Sequence, residues 1–133
     1  MANALYPLWK EQLLQFTANN NLSAGTVKVA LVTAGYTYSA AHQFYSSVTA
    51  SVVGTPQTIG TKTFTTGIFS GGNVTFTAVT GAQVVALVIY IDTGTAATSP
   101  LVAFLDTGVT GLPITPNGGN ITITWSGSGI FAL

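Results

Sequence analysis

The chain has 133 residues, with neither cysteine nor arginine, and only 5% of its residues are charged while 47% are hydrophobic. This length suits a single domain spanning 1–133, and the lack of cysteine excludes disulfides and thiolate metal sites. Three lysines balance three acids, so the basic cluster that a nucleic-acid partner requires is missing.

The low charge is itself informative about the surface. Soluble domains typically carry about 25% charged residues, which keep a free monomer in solution. A chain with so few must rely on Thr, Ser, Asn and Gly for its wet surface, or it must cover much of its surface with partners. We favour the second interpretation and expect a homo-oligomer in a larger assembly, because large exposed apolar patches usually mark interfaces.

The first predicted element is one α-helix within residues 1–20. Its apolar residues recur every three or four positions, which places them on one face: Leu5, Leu8, Trp9, Leu13 and Phe16. Pro7 suits a first helical turn, and the asparagines at 19–21 followed by Gly25 favour a helix end. The apolar face would pack either on the core of the domain or on a neighbouring subunit.

Residues 26–133 have a sequence pattern typical of a β-sandwich. The segment 26–33 alternates apolar and polar residues, whereas 36–60 has no clean period and is interpreted as a long loop with at most one short strand. Because a long loop in a compact domain is usually functional, we expect 36–60 to reach a neighbouring molecule.

The remaining predicted strands follow at short intervals, separated by Gly- and Pro-containing turns. They cover residues 61–69, 73–79, 84–91, 101–106, 120–126 and 130–133. Segment 84–91 is apolar throughout, which is typical of a central strand covered on both faces. Alternation with Ile121 and Ile123 points the Trp125 side chain inward. The sequence therefore predicts a mostly β, antiparallel sandwich or jelly-roll-like domain with one N-terminal helix.

The longest apolar run, 84–91, is far shorter than the roughly 20 residues of a membrane helix. The N-terminus has no basic segment followed by an apolar core, so we see no secretory signal. These patterns predict a protein that is made in a cytoplasm and has no membrane partner.

Two Asp-Thr-Gly triplets, beginning at Asp92 and Asp106, resemble the active-site signature of aspartic proteases. That chemistry needs two carboxylates sharing one proton. If strands 84–91 and 101–106 pair as a hairpin, the aspartates lie at opposite ends, about 18–20 Å apart at ~3.3 Å per residue. We therefore interpret both as strand-ending residues that cap turns. A homodimer contributing one Asp per chain is the remaining enzyme hypothesis.

Residues and motifs for other kinds of catalysis are scarce in this chain. His42 is the sole histidine, which is too few for a multi-histidine metal site, and no Gly-x-Ser-x-Gly elbow is present. We interpret His42 as a loop residue that satisfies backbone groups. We expect a non-enzymatic protein with no catalytic, cofactor-binding or metal-binding residues and no cofactor.

Short segments spread over almost the whole chain carry a resemblance to a known protein family. They are MANALY at 1–6, TVKVALV at 26–32, YSAAHQF at 38–44, NVTFTAVTG at 73–81, Tyr90, DTGTAATS at 92–99, TGLPITPNGG at 110–119, ITITW at 121–125 and Ile130-Phe131. In length and order the chain resembles a family of small virion structural proteins of tailed bacteriophages. Related chains tend to be acidic near 70–73 and 120, where this one has Ser70, Gly71, Gly72 and Asn120, so no cation site is carried over.

The resemblance implies a place in the virion, which is assembled in the host cytoplasm, and it brings no catalytic residues. We expect a capsid cement or decoration protein that bridges and stabilises subunits of the major capsid protein, with other copies of itself as further partners. The alternative is a tail or baseplate component.

Overall fold

A computed structural model describes residues 3–133. Met1 and Ala2, the first residues of the predicted helical segment, lie outside the described part. The elements in chain order are β1 (Ala4–Leu5), α1 (Pro7–Leu14), β2 (Thr26–Thr33), β3 (Val52–Thr58), β4 (Ile68–Phe69), β5 (Val74–Phe76), β6 (Val84–Asp92), β7 (Leu101–Leu105), β8 (Ile121–Ile123) and β9 (Phe131–Ala132). Four single 3₁₀ turns, at Tyr45–Ser47, Thr49–Ser51, Thr65–Gly67 and Ala96–Thr98, lie between them.

The main sheet has five antiparallel strands in the order β1-β7-β6-β2-β3. Strand β6 lies at its centre, and all but two of its residues are buried, as its unbroken apolar sequence predicted. Two small antiparallel sheets, β4-β9 and β5-β8, complete the fold. The prediction of a mostly β, antiparallel domain with one N-terminal helix is confirmed.

The helix is shorter than its apolar spacing predicted. It begins at Pro7, whose missing N–H is harmless in a first turn, and ends at Leu14 after two turns. Leu5 lies on β1 instead, and Phe16 adopts a left-handed conformation beyond the helix, with φ of 56°. Only Trp9 is fully buried among the helical residues. Its indole meets the Phe131 ring edge-on, with centroids 5.9 Å apart.

The segment 36–60 is more ordered than the loop we expected. It holds two 3₁₀ turns and the seven-residue strand β3, which pairs with β2 as the outer strand of the main sheet. Gly54 and Pro56 interrupt the alternation of β3, and its register with β2 shifts between Val29 and Leu31. These interruptions hid the strand in the sequence, because a bulged strand loses its two-residue period.

Several predicted strands are shorter than their sequence patterns. Of 61–69 only Ile68–Phe69 forms a strand, because Thr66 is left-handed at φ of 55° inside the preceding turn. Strand β5 ends at Phe76, and Ala78, at φ of 49°, turns the chain so that Val79 is buried instead. In each case a backbone conformation rare for these residue types overrides the side-chain alternation.

Candidate functional site

The most exposed apolar side chains lie together in sequence at the end of α1. Leu14 is 89% exposed and Phe16 is 95% exposed. A domain gains nothing in water by presenting a leucine and a phenylalanine in this way, since burial of either side chain contributes about 1.5–3 kcal/mol. We call Leu14 and Phe16 the helix-end patch. Its exposure is what an apolar contact with another molecule requires.

The outer strand of the main sheet is a second feature suited to contacts between molecules. Strand β3 pairs with β2 on one side, and no further strand of residues 3–133 pairs with its other side. Such an edge presents unpaired backbone groups to which an added strand can bond. Pro56 lacks an N–H and Gly54 is left-handed at φ of 69°, so the regular stretch of this edge is short.

The sole histidine lies at the end of a chain of side-chain hydrogen bonds. The Tyr6 hydroxyl lies 2.8 Å from the Tyr36 hydroxyl, which lies 2.8 Å from Nδ1 of His42. Burial raises the pKa of Tyr6 far above its usual range, and burial also raises that of Tyr36. Both tyrosines therefore stay protonated at physiological pH. The prediction that His42 satisfies backbone groups is wrong, because its ring nitrogen bonds a tyrosine hydroxyl.

The two aspartates of the Asp-Thr-Gly triplets lie at opposite ends of a hairpin. Strands β6 and β7 are antiparallel, with Leu87 opposite Leu105 and Tyr90 opposite Leu101. Six residues of β6 therefore separate the level of Asp106 from Asp92, a distance of about 20 Å at ~3.3 Å per residue. The hairpin prediction is confirmed. The dimeric protease stays a hypothesis, since it needs an Asp from each of two copies.

The turn after each aspartate is capped by a side chain, though not in the same way. At Asp92, Oδ1 accepts a hydrogen bond of 2.9 Å from the Gly94 amide, as predicted. After β7, Oδ1 of Asn3 accepts from the amides of Asp106 and Thr107, at 2.7 and 2.9 Å. Asn3 thereby ties the start of the chain to the end of β7.

Trp125 is less buried than its alternation with Ile121 and Ile123 predicted. Strand β8 ends at Ile123, and Trp125 lies half-buried beyond it, packed against the core. Its indole Nε1 donates a 2.9 Å hydrogen bond to the carbonyl of Gly72. The ring therefore closes the edge of the core instead of filling its centre.

A cavity of about 250 Å³ lies beside α1, and two of its lining residues carry buried polar atoms without hydrogen-bond partners. Trp9 and Asn20 both line it, and they are only 1% and 5% exposed. The indole N–H of Trp9 and the amide oxygen of Asn20 are buried without a hydrogen-bond partner. An orphaned buried polar group costs about 1–3 kcal/mol, so each of these two lining residues carries one unsatisfied polar atom at that cost.

Sequence reasoning did not find this cavity. The asparagines at 19–21 were interpreted only as a helix end, and Gln43 lay in the supposed loop. The available signal was the number of amide side chains in the first 43 residues, but neither spacing nor composition brings residues 12, 20 and 43 together. Gln43 is tied to β7 because its carbonyl accepts a 2.9 Å hydrogen bond from the Leu101 amide, and the start of α1 is tied to the same strand by the bond from the Tyr6 amide to the Val102 carbonyl.

Within residues 3–133, no three His, Cys, Asp or Glu side chains are grouped so that they could hold a metal ion. None of the helices in that range is long and apolar enough to cross a membrane. Comparison of the sequence with protein-family models and with curated proteins found no match.

Proposed function

We propose that the protein is a structural component of a tailed-phage virion, most specifically a capsid cement protein that bridges major capsid subunits. The observation that carries the proposal is the helix-end patch, since Leu14 and Phe16 are 89% and 95% exposed on an already formed domain. The resemblance of the sequence segments to small virion proteins supports the same role.

The chemistry of the surface supports binding without charge. With 5% charged residues, the domain has little to repel other copies or a neutral capsid surface. Individually weak apolar contacts suffice in a shell, because many copies bound to neighbouring subunits add their affinities through avidity. The helix-end patch and the β3 edge are the two surfaces through which we propose that the protein reaches the major capsid protein and copies of itself.

The N-terminal segment is packed into the core in a way that suits a rigid spacer between capsid subunits. Tyr6 and Trp9 of the N-terminal segment are 0% and 1% exposed, and Tyr6 donates its amide to the Val102 carbonyl at 3.0 Å. The helix-end patch is thus held on a segment anchored in the core. The backbone that carries Leu14 and Phe16 therefore loses little conformational entropy on binding.

Copy number in purified virions tests the proposal. Quantitative gel densitometry against the major capsid protein is expected to give hundreds of copies per particle. Tens of copies or fewer would assign the protein to the tail or baseplate, the alternative role. Absence from virions, together with peptidase activity in the purified protein, would overturn the structural role and favour the dimeric aspartic protease.

A further inference from the structure

The cavity beside α1 has the composition of a binding site for an uncharged polar molecule. None of its lining residues carries a formal charge, so a charged ligand would be buried there without a counter-charge. Its aromatic and amide side chains are those of Trp9, Phe44, Gln12, Asn19, Asn20 and Gln43. Rings and amides together suit a ligand that has both apolar C–H faces and hydroxyl groups.

The two orphaned atoms restrict the ligand chemistry further. Trp9 offers a donor that nothing accepts, and Asn20 offers an acceptor to which nothing donates. The orientation of the Asn20 amide is fixed, because its Nδ2 donates to Oγ1 of Thr17 at 2.7 Å and to the Ala18 carbonyl at 2.8 Å. A hydroxyl group can accept from an indole N–H and can donate to an amide oxygen, so a polyhydroxyl ligand offers a partner for each of the two groups.

We propose that this cavity binds a small neutral polyhydroxyl ligand, of the size of one monosaccharide unit, through Trp9 and Asn20. Its volume of about 250 Å³ lies just below the roughly 300–1,000 Å³ of pockets for drug-sized molecules, which fits a single sugar ring. Because both orphaned atoms are covered by protein in the structure, binding includes a shift of the turn at 17–20. This turn lies outside α1 and contains the left-handed Asn19, at φ of 66°.

The amide of Gln43 offers a residue-specific probe. The side chain lines the cavity and forms no hydrogen bond within the described residues, so its loss leaves the fold intact. Gln43→Ala should therefore weaken binding, by about tenfold for a lost ligand contact. Gln83→Ala, at an exposed position away from the cavity, is the matched control and should leave affinity unchanged.

The experiment follows the indole N–H resonances of the full-length protein by ¹⁵N NMR. The chain has two tryptophans, and Trp125→Phe assigns the signal that remains to Trp9. Glycerol, glucose, galactose and N-acetylglucosamine are each titrated to tens of millimolar. At least one of these sugars is expected to move the Trp9 resonance saturably and leave the Trp125 resonance fixed. Glucuronate should bind at least about tenfold more weakly than glucose, because its carboxylate finds no counter-charge.

Two results would overturn the proposal. One is a Trp9 resonance that stays fixed in all four compounds and shows cross-relaxation to a long-lived water, which would assign the cavity to buried water. The other is a sugar-dependent shift of the Trp9 resonance with equal affinity in Gln43→Ala and Gln83→Ala, which would show that the ligand does not occupy the cavity lined by Gln43.

Discussion

Lys28 on β2 and Asp92 at the end of β6 form an ion pair, with Nζ 2.8 Å from Oδ2. The hydrogen bond from Lys28 lowers the pKa of Asp92, and the Gly94 amide lowers it further. Asp92 therefore has two structural tasks, one with the neighbouring strand and one with its own turn. The same carboxylate that resembles half of a protease signature is occupied by interactions within the fold.

Substitutions at Asp92 should separate these two tasks. Asp92→Asn removes the ion pair but can still accept from the Gly94 amide, and should lower the free energy of unfolding by less than about 1 kcal/mol, since both side chains are partly exposed. Asp92→Ala should cost about 0.5–1.5 kcal/mol more because it also removes the turn cap. Urea denaturation measures both. Equal losses would mean that the cap contributes nothing.

The pH dependence of stability follows from the lowered pKa of Asp92. In the unfolded chain the carboxyl titrates near its ordinary value of 3.8, and in the folded chain below it. The contribution is therefore fully present above about pH 5 and fades as the pH falls through the folded-state pKa. Wild type should lose its advantage over Asp92→Asn as the pH falls from about 5 through the unfolded-state value of 3.8 and below it. An advantage that persists unchanged at the acid end would exclude Asp92 as its source.

Lys62 makes a different use of its charge. Its ammonium donates to the carbonyls of Leu22 and Gly25, both at 2.7 Å, and to that of Ser23 at 3.2 Å. Lys62→Met should lower the free energy of unfolding by about 1.5–3 kcal/mol. Lys62→Arg should restore little, because a planar guanidinium does not match three converging carbonyls. Lys10→Met, on the exposed face of α1, is the control and should change stability by less than about 0.5 kcal/mol. Thermal and urea unfolding of the three variants measure these changes in stability.

Trp125 contributes through both packing and a hydrogen bond. Trp125→Ala should cost about 2–3 kcal/mol, below the loss for a fully buried tryptophan, because the ring is only half-buried. Trp125→Phe keeps most of the ring surface but loses the donor to the Gly72 carbonyl, at a cost of about 1 kcal/mol. Denaturant unfolding distinguishes the two contributions. If the two variants unfold at the same denaturant concentration, ring packing contributes little.

Sequence periodicity identified the parts of the fold where backbone and side-chain preferences agree. Strands β2 and β6 were predicted within about one residue, because β2 keeps a regular alternation and β6 is apolar almost throughout. The errors fall where the backbone departs from regularity: at the bulged β3, at the left-handed Thr66 and Ala78, and at Phe16. Neither Phe, Thr nor Ala favours φ near +50°, so no residue-type signal marks these positions.

The candidate surfaces were predictable only in outline. Low charge indicated an apolar interface, but the helix periodicity assigned Phe16 to the same face as Trp9, whereas the structure buries one and exposes the other. The difference arises because α1 ends at Leu14 and the backbone of Phe16 is left-handed, which ends the helical periodicity. The amide-lined cavity depends on a contact between residues distant in sequence, which periodicity does not reveal.

The left-handed backbone of Phe16 makes a test of the proposed attachment possible without damage to the fold. Phe16→Gly removes the most exposed apolar side chain and relieves the strained φ of 56°, so stability should rise by about 0.5–1 kcal/mol. Occupancy on virions should nevertheless fall. Thr66→Gly, at φ of 55°, gives a similar backbone relief at a position that belongs to neither proposed contact surface and should keep full occupancy. Equal occupancy of both variants would exclude Phe16 from the contact.

Attachment to the virion should also resist salt. Lys28 is engaged with Asp92 and Lys62 with three carbonyls, so the protein's own side has little charge to offer a partner. Raising salt from about 0.1 M to about 1 M shortens the Debye length from about 10 Å to about 3 Å and weakens exposed ion pairs, yet it should strengthen apolar contacts or leave them unchanged. Release at high salt would contradict the proposal.

The matched variant for this salt experiment cannot be a deletion of the N-terminal segment, because Tyr6 and Trp9 are core residues at 0% and 1% exposure and their loss would unfold the domain. Leu14→Ser with Phe16→Ser changes only exposed side chains, so the fold should persist while attachment weakens. Pelleting of virions after incubation at each salt concentration measures the bound fraction. Wild type should remain bound throughout, and the double variant should be depleted already at low salt, because the contact it lacks is apolar. A double variant that binds as wild type at low salt but dissociates at high salt would place the attachment on charged groups instead.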